Sequence, residues 1–331
     1  MQFSVIIPIY NRPDEIVELL ESLTLQSAKS AFEVIIIEDG SAFPCKEVIE
    51  PYFNQLNLHY YTQENKGPGP ARNHGASKAI GEYLIFFDSD CIIPSNYFNH
   101  IIEHLDIQPL ECFGGPDESH PFFTPIQKAI SYSMTSPVTT GGIRGGSRKM
   151  DKFYPRSFNL GIKKEIFESI SGFADMRFGE DLDLSMRTMD KGYSVGLIKE
   201  AYVYHKRRTH FKAFFKQVFN SGIARIDLSL LHPGTLKPVH LLPSAFTIGY
   251  PLLLIMTIWL SSWFLIPFLL FPAIIFTDAF VRTKSFYVAL LSTWASLTQL
   301  TGYGTGFLKA FWVRIVKKKG AFHNFAKSFY D

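Results

Sequence analysis

Cysteine is scarce in this chain. Cys45, Cys91 and Cys112 make an odd number, with no CxxC pair and no Cys/His spacing suited to zinc. A disulfide framework and a structural zinc site are both disfavoured, and a reducing compartment fits better. A surplus of either charge is also missing: 33 Lys and Arg against 30 Asp and Glu leave a net charge of only +3. Nucleic-acid partners require a domain-wide basic excess, so none is expected. The opening MQFSVIIPIYNR lacks the basic start and unbroken apolar run of a secretory signal, since Pro8 interrupts it. What is present is apolar bulk. A chain of 331 residues, 47% hydrophobic and with 31 Phe, can bury one large α/β core or two modules.

Apolar runs alternate with helical patterns along the first part of the chain. Phe3 to Ile7 reads as a buried strand, and Ile16, Leu19, Leu20 and Leu23 follow at helical spacing. Further strands are expected at Phe32 to Ile37, Leu58 to Thr62 and Tyr83 to Phe87, with a helix opening near Pro70. This alternation predicts parallel βαβ units, and nearly continuous apolar strands predict a sheet covered on both faces. Ligands of such sheets bind at the carboxyl ends of the strands. Three strands end in polar residues there: Tyr10-Asn11, Glu38-Asp39 and Asp88-Ser89-Asp90.

From about Gly114 to Met150 the pattern weakens into Gly, Ser, Thr and Pro, including GGIRGGSRK, and a loop or lid is expected. Order resumes at Ser157 to Ile162, then at a helix opening on Gly179-Glu180-Asp181, and in short strands around Tyr193 to Ile198 and Ala201 to His205. Next comes a helix with Phe211, Phe214, Phe215, Val218 and Phe219 on one stripe, which would lie on a membrane surface or pack on the catalytic domain.

Leu241 to Thr277 then runs without a single charge. As helix it would span about 55 Å at about 1.5 Å per residue, nearly twice a hydrocarbon core of about 30 Å. Two passes turning at Ser261-Ser262 fit, and the interior prolines are tolerated in membrane helices. A second uncharged stretch, Ser285 to Leu308, has Gly302, Gly304 and Gly306 and basic residues on both flanks. Under the positive-inside rule this favours a re-entrant or interfacial segment over a crossing. The expected division is therefore a catalytic domain over 1–232 and a membrane-associated region over 233–331. The latter has a hairpin at about 241–281, the segment at about 285–308 and a basic tail.

Chemistry concentrates in a few carboxylates. Asp88 and Asp90, two apart at a strand end, suit a hard divalent cation shared with phosphate oxygens. Asp39 could accept from a base N–H. Pro68-Gly69-Pro70-Ala71-Arg72 opens a helix, offering a guanidinium and free backbone N–H groups to a diphosphate. Glu180-Asp181 is a second carboxylate pair, suited to general-base work on a hydroxyl. His205, at another strand end, could complete a metal shell.

Taken in order, SVIIPIYNR with the helix after it, FEVIIIEDGS, NKGPGPARNHG, EYLIFFDSD, FNLGIKKEIFESISGF and FGEDLDLSMR resemble a family 2 inverting glycosyltransferase of GT-A fold, over roughly residues 1–230. The resemblance implies an α/β fold with a Rossmann-like, mostly parallel central sheet, followed here by the helical membrane region. It implies that Pro8, Tyr10 and Asn11 line a nucleotide pocket, that Asp39 reads the base and that Arg72 sits near base and phosphate. Asp88 would bind the nucleoside, and Asp90 would hold Mg²⁺ or Mn²⁺ with help from Asp88 and His205. Asp181 would be the catalytic base with Glu180 beside it, and Asn159 and Leu160 would lie near the acceptor. The implied donor is a nucleotide sugar, with a UDP-sugar favoured, and the implied acceptor a lipid-linked or other glycan.

The QxxRW motif of processive synthases is absent: Gln217 is followed by VFNSG and Gln299 by LTGYG. Transfer of one sugar in surface glycan assembly is expected instead, at the cell membrane, with the catalytic domain and membrane lipids meeting on the cytoplasmic side. A sugar-nucleotide nucleotidyltransferase would normally open with a Gly-rich loop, and PIYNRPDE has no glycine. A non-catalytic scaffold of the same fold would not need both carboxylate pairs.

Overall fold

The structure is a computed structural model that describes residues 2–28, 32–140, 153–176 and 178–319. Along the chain the elements are β1 (Phe3–Ile9), α1 (Pro13–Thr24), β2 (Phe32–Asp39), α2 (Lys46–Ile49), β3 (Leu58–Gln63), α3 (Pro68–Lys78) and β4 (Tyr83–Phe86). Then come β5 (Cys91–Ile92), α4 (Tyr97–Ile107), β6 (Cys112–Gly114), β7 (Asp117–Glu118), α5 (Pro125–Thr135), α6 (Pro137–Thr140), β8 (Leu160–Lys163) and α7 (Lys164–Ser169). The last are α8 (Glu180–Asp190), β9 (Val195–Leu197), β10 (Val203–His205), α9 (Phe211–Leu231), α10 (Leu242–Trp259), α11 (Leu265–Thr283) and α12 (Phe286–Phe311). Two compact units result: residues 2–118 with 153–205, and residues 119–140 with 206–319.

The first unit is built on a seven-stranded sheet of order β3-β2-β1-β4-β8-β6-β9, in which only β8 runs against its neighbours. Period-two alternation explains how it buries both faces. Val5, Ile7, Val34 and Ile36 point to one side, with Ile16, Leu19 and Leu20 of α1 and Phe98 and Ile101 of α4. Ile6, Ile35 and Ile37 point to the other, with Ala71 and Ala76 of α3 and Ile166 and Phe167 at α7. Gly75 lets α3 lie against the sheet, since a Cβ there would fall 2.5 Å from Ile6 Cγ2. A small second sheet, β5-β10-β7, pairs His205 with Cys91 across an antiparallel ladder.

The second unit is helical and centred on α12, which packs against α5, α9, α10 and α11. Its glycines are contact points. A Cβ on Gly306 would sit 2.0 Å from the Phe219 carbonyl oxygen of α9, and one on Gly304 would sit 2.4 Å from that of Pro243 in α10. The stretch expected to be re-entrant or interfacial is thus one unbroken helix, with Ala295, Leu300, Gly302, Gly306 and Phe307 buried. Likewise Phe214 and Val218 of the aromatic stripe pack on Ala129, Ile130 and Met134 of α5 and on Ala295 of α12. That packing takes α5 and α9 into the helical unit, whereas the sequence reading drew one cut at 232. It also corrects the loop expected from about Gly114 onward, as far as the described residues run, to Thr140. Thr124 caps α5 in a reciprocal capping box with Gln127, with Pro125 at the first helical position. The expected lid over 141–149 lies outside the described residues.

Two helices, Pro238–Trp259 and Ser262–Thr283, are long and apolar enough to cross a membrane by length and composition. The chain turns between them at Leu260-Ser261, and Ile258, Trp259 and Trp263 stand exposed around that turn.

Candidate active site

Parallel register places the polar strand ends side by side. Ile9 of β1 pairs with Glu38 of β2, so Tyr10 and Asn11 emerge next to Asp39. Ile6 pairs with Phe86, so Asp88 leaves β4 beside the end of β1. Asn11 takes positive φ, which Asn tolerates better than most residues, and ties two loops together. Its N–H donates to Ser41 Oγ at 2.8 Å, and its Oδ1 accepts from the Ala42 N–H at 2.7 Å. Pro8 and Tyr10 are both half-buried at this edge.

Asp39 is held from three sides. Oδ1 accepts from Gln63 Nε2 at 2.7 Å and from the Lys66 N–H at 3.0 Å, and Oδ2 accepts from the Gly67 N–H at 2.8 Å. Gly67 has φ +94°, a conformation a side chain would strain. Burial pushes the Asp39 carboxyl above its ordinary value, and these donors only partly oppose it. The free N–H groups expected at the start of α3 are mostly missing. Pro68 and Pro70 have none, the Gly67 N–H is spent on Asp39, and the Ala71 N–H bonds Gly67 O at 3.1 Å.

Arg72 joins the two carboxylate pairs. Its side chain is 3% exposed; Nη2 donates to Asp88 Oδ1 at 2.6 Å and Nη1 to Glu180 Oε1 at 3.2 Å. The guanidinium also lies 5.4 Å from the centre of the Phe173 ring. Burial opposes its charge, but Asp88 and Glu180 outweigh that, and the pKa is raised. Glu180 is raised as well, by burial first and the neighbouring Asp181 second, with Arg72 opposing. Asn73 fixes this geometry by donating to the Phe173 carbonyl at 2.8 Å and accepting from its N–H at 2.9 Å. Sequence reasoning missed Phe173, Asn73 and Gln63, because each acts through a partner distant in the chain or on another element.

The two aspartates of Asp88-Ser89-Asp90 face different neighbours. Asp88 turns to Arg72, whereas Asp90 Oδ1 lies 3.1 Å from His205 Nε2. Ligand atoms of Asp90, His205 and Cys91 all fall within 4.8 Å of one another. Cys91 is a poor member of such a set. Burial holds its thiol far above the ordinary range, and a hard cation prefers oxygen and imidazole to a thiol. Asp90 and His205 do fit a divalent cation. His205 Nδ1 is buried without a hydrogen-bond partner among the described residues, and its ring stacks 4.4 Å from Phe158.

Asp181, in the first turn of α8, forms an ion pair through Oδ2 with Arg156 Nε at 2.8 Å and accepts there from the Ser157 N–H at 3.3 Å. Oδ1 accepts from the Leu182 N–H at 2.8 Å. Asn159 and Leu160 were expected to lie near the acceptor; their side chains serve the fold. Asn159 accepts from Tyr97 OH at 2.6 Å, donates to Ala201 O at 2.8 Å and is 1% exposed. Leu160 is fully buried opposite Phe86 in the sheet.

Comparison with known proteins gives the same layout a lineage. The model for "Glycosyl transferase family 2" matches residues 4–170. Glycosyltransferase AglE of Haloferax volcanii is 25% identical over 251 residues, 75% of this chain and 80% of AglE. An uncharacterized glycosyltransferase of Rickettsia felis is 42% identical over 216 residues, 59% of this chain but only 36% of that protein. Among solved structures, mannosyltransferase PcManGT from Pyrobaculum calidifontis, in complex with GDP-Man and Mn²⁺, superposes with a TM-score of 0.65 at 17% identity. That superposition covers 95% of this chain and 88% of the other. Residues 1–349 of Staphylococcus aureus TarS give a TM-score of 0.52 at 19% identity, covering 96% and 92%. At such identities these two likenesses are of fold alone. The family match is of sequence, however, and it runs from β1 through α7, across the strand ends that hold Asp39 and Asp88 and across Arg72 of α3: this chain belongs to glycosyl transferase family 2.

Proposed function

We propose that the chain transfers one sugar from a nucleotide-sugar donor to an acceptor hydroxyl, with inversion at the anomeric carbon. The observation that carries this reading is the Arg72 bridge, which draws the donor-side Asp88 and the acceptor-side Glu180 into one site. Pro8, Tyr10, Asn11 and Asp39 line the nucleotide end, where the Asp39 carboxylate accepts from a base N–H. Asp90 and His205 would hold Mg²⁺ or Mn²⁺, which supplies positive charge to the donor diphosphate. The complex of PcManGT with GDP-Man and Mn²⁺ supports the donor class and the cation, and that of TarS with UDP-GlcNAc supports the donor class.

Asp181 takes the proton of the acceptor hydroxyl as that oxygen bonds the anomeric carbon from the face opposite the leaving group. The bond from that carbon to the diphosphate oxygen breaks, and the nucleoside diphosphate leaves with the electron pair. Arg72 keeps Asp88 and Glu180 paired while this charge develops. Helices α10 and α11 attach the chain to a membrane, which suits a lipid-linked acceptor, with the nucleotide site on the cytoplasmic side, where nucleotide sugars are made.

The test is hydrolysis and transfer with a panel of UDP- and GDP-sugars, with Mn²⁺, with Mg²⁺ and with chelator. Cation-dependent release of nucleoside diphosphate is expected, and NMR of the first product should show the inverted anomer. Release of pyrophosphate from a sugar phosphate and a nucleoside triphosphate would make the chain a nucleotidyltransferase instead.

A further inference from the structure

Arg156 is a cation beside Asp181 that this reading leaves unassigned. It stands on a short turn before β8, closed by the Asn159 N–H donating to Arg156 O at 2.8 Å. The turn is anchored from below by the buried Asn159 side chain, clamped between Tyr97 OH and Ala201 O. Its guanidinium is therefore presented from a rigid base rather than from a free loop. Nε is fixed on Asp181 Oδ2, yet the Arg156 side chain is 36% exposed where that of Asp181 is 7%. Among the described residues its two η nitrogens have no hydrogen-bond partner. Arg72, the other arginine at these carboxylates, is committed to Asp88 and Glu180.

We propose that Arg156 recognises the acceptor: its open guanidinium fork takes a phosphate group carried by the acceptor, beside the hydroxyl that Asp181 deprotonates. The inference rests on the assignment of Asp181 as the base. A neutral sugar hydroxyl needs only a neutral partner, whereas two outward N–H groups in one plane match the paired oxygens of a phosphate. Because Nε stays on Asp181, a phosphate held by the other two nitrogens is placed a fixed step from the base. An acceptor whose hydroxyl lies a few bonds from a phosphate would then be aligned by one residue, and a neutral glycan would not.

The test uses the full chain with its nucleoside diphosphate and Mn²⁺ bound. Calorimetric titration compares sn-glycerol 3-phosphate, inorganic phosphate and glycerol. Wild-type protein should bind the two phosphates and not glycerol. Arg156→Gln should weaken phosphate binding by about tenfold or more, since a charge-assisted pair is lost, and Arg156→Lys should recover part of it. A parallel arm offers phosphatidylcholine vesicles with and without phosphatidylglycerol. Arg156-dependent binding to the latter alone assigns the phosphate to a lipid, and to the soluble ligand alone assigns it to a soluble glycan phosphate. Equal phosphate affinity in wild type and Arg156→Gln overturns the proposal and leaves Arg156 as a solvated ion pair; so does wild-type preference for glycerol. Should phosphate binding depend on Arg156 while no nucleotide sugar is turned over, the proposed function fails and the phosphate site stands.

Discussion

Glu180 and Arg72 are 108 residues apart in the chain and 3.2 Å apart in the fold. The same guanidinium holds Asp88, so one side chain joins the two carboxylate pairs, the proposed donor and acceptor sides of the site. Arg72→Ala would leave two partly buried carboxylates facing each other. Loss of one partner of a buried pair costs about 3–5 kcal/mol. A drop of several degrees in the melting temperature of the first unit is expected, with loss of turnover. Arg72→Lys should keep the fold better but still lose turnover, because an ammonium cannot span both partners as a fork does. Normal transfer in Arg72→Lys would show that the bridge is not required.

Asp181→Asn separates binding from chemistry. The amide oxygen can still accept from the Ser157 N–H, so the turn should hold and nucleotide affinity should stay within a few-fold of wild type. Transfer should fall by about 10²–10⁴-fold, the usual loss on removing a general base. A parallel loss of nucleotide affinity, read by calorimetry, would move Asp181 to the donor side.

Asp90→Asn and His205→Gln address the cation. Both should stay folded, since the Asp90 and His205 side chains are part-exposed and neither belongs to the buried apolar core. Each should shift the Mn²⁺ activation curve of donor hydrolysis to higher concentration, Asp90→Asn more because it removes a charge. Cys91→Ser should leave that curve unchanged, as the buried thiol stays protonated. A Cys91→Ser shift as large as that of Asp90→Asn would put sulfur in the metal shell.

Nucleotide affinity should depend on pH through Asp39. Burial raises its folded pKa above the ordinary 3.8. Only the carboxylate can accept from a base N–H while keeping its own three donors. Affinity should thus be full above the raised value and be lost as pH falls through it, at a higher pH than an exposed aspartate would give. Asp39→Asn should bind weakly at all pH and remove this acid limb. Titration of the nucleoside diphosphate between about pH 4 and 7 reads it.

The long strands were legible because a sheet covered on both faces needs runs such as FSVIIPI and FEVIIIED, which few other elements tolerate. Strands β5 and β7 were not, at two residues each. Helix α5 was hidden by a polar neighbourhood, although Thr124-Pro125 with Gln127 spelled its cap. Glycines 302, 304 and 306 were noted without a role, and the stretch was placed by its basic flanks; they are the points where α12 meets neighbouring helices. In the site, residue types at strand ends could be read, but their partners could not. Nothing local pairs Arg72 with Glu180 or Arg156 with Asp181, and nothing local says that Asn159 faces inward.

The hairpin can be tested by labelling, and the three cysteines make the background simple. Cys45, Cys91 and Cys112 are all buried, so native protein should react little with a hydrophilic maleimide, and replacing them gives a clean chain. Ser262 lies just past the α10–α11 turn, flanked by exposed Trp259 and Trp263, residues enriched at the membrane–water boundary. Lys318 follows α12 in the chain, in a run of lysines. If α10 and α11 cross as a pair, in sealed vesicles that expose the cytoplasmic face, a cysteine at Lys318 should label and one at Ser262 should not until the vesicles are opened. Labelling at both positions from that face would mean that the hairpin lies on the surface and its apolar sides meet something other than lipid. If Lys318 reacts only after opening while Ser262 behaves as before, α12 crosses too, and its buried glycine face sits at membrane depth.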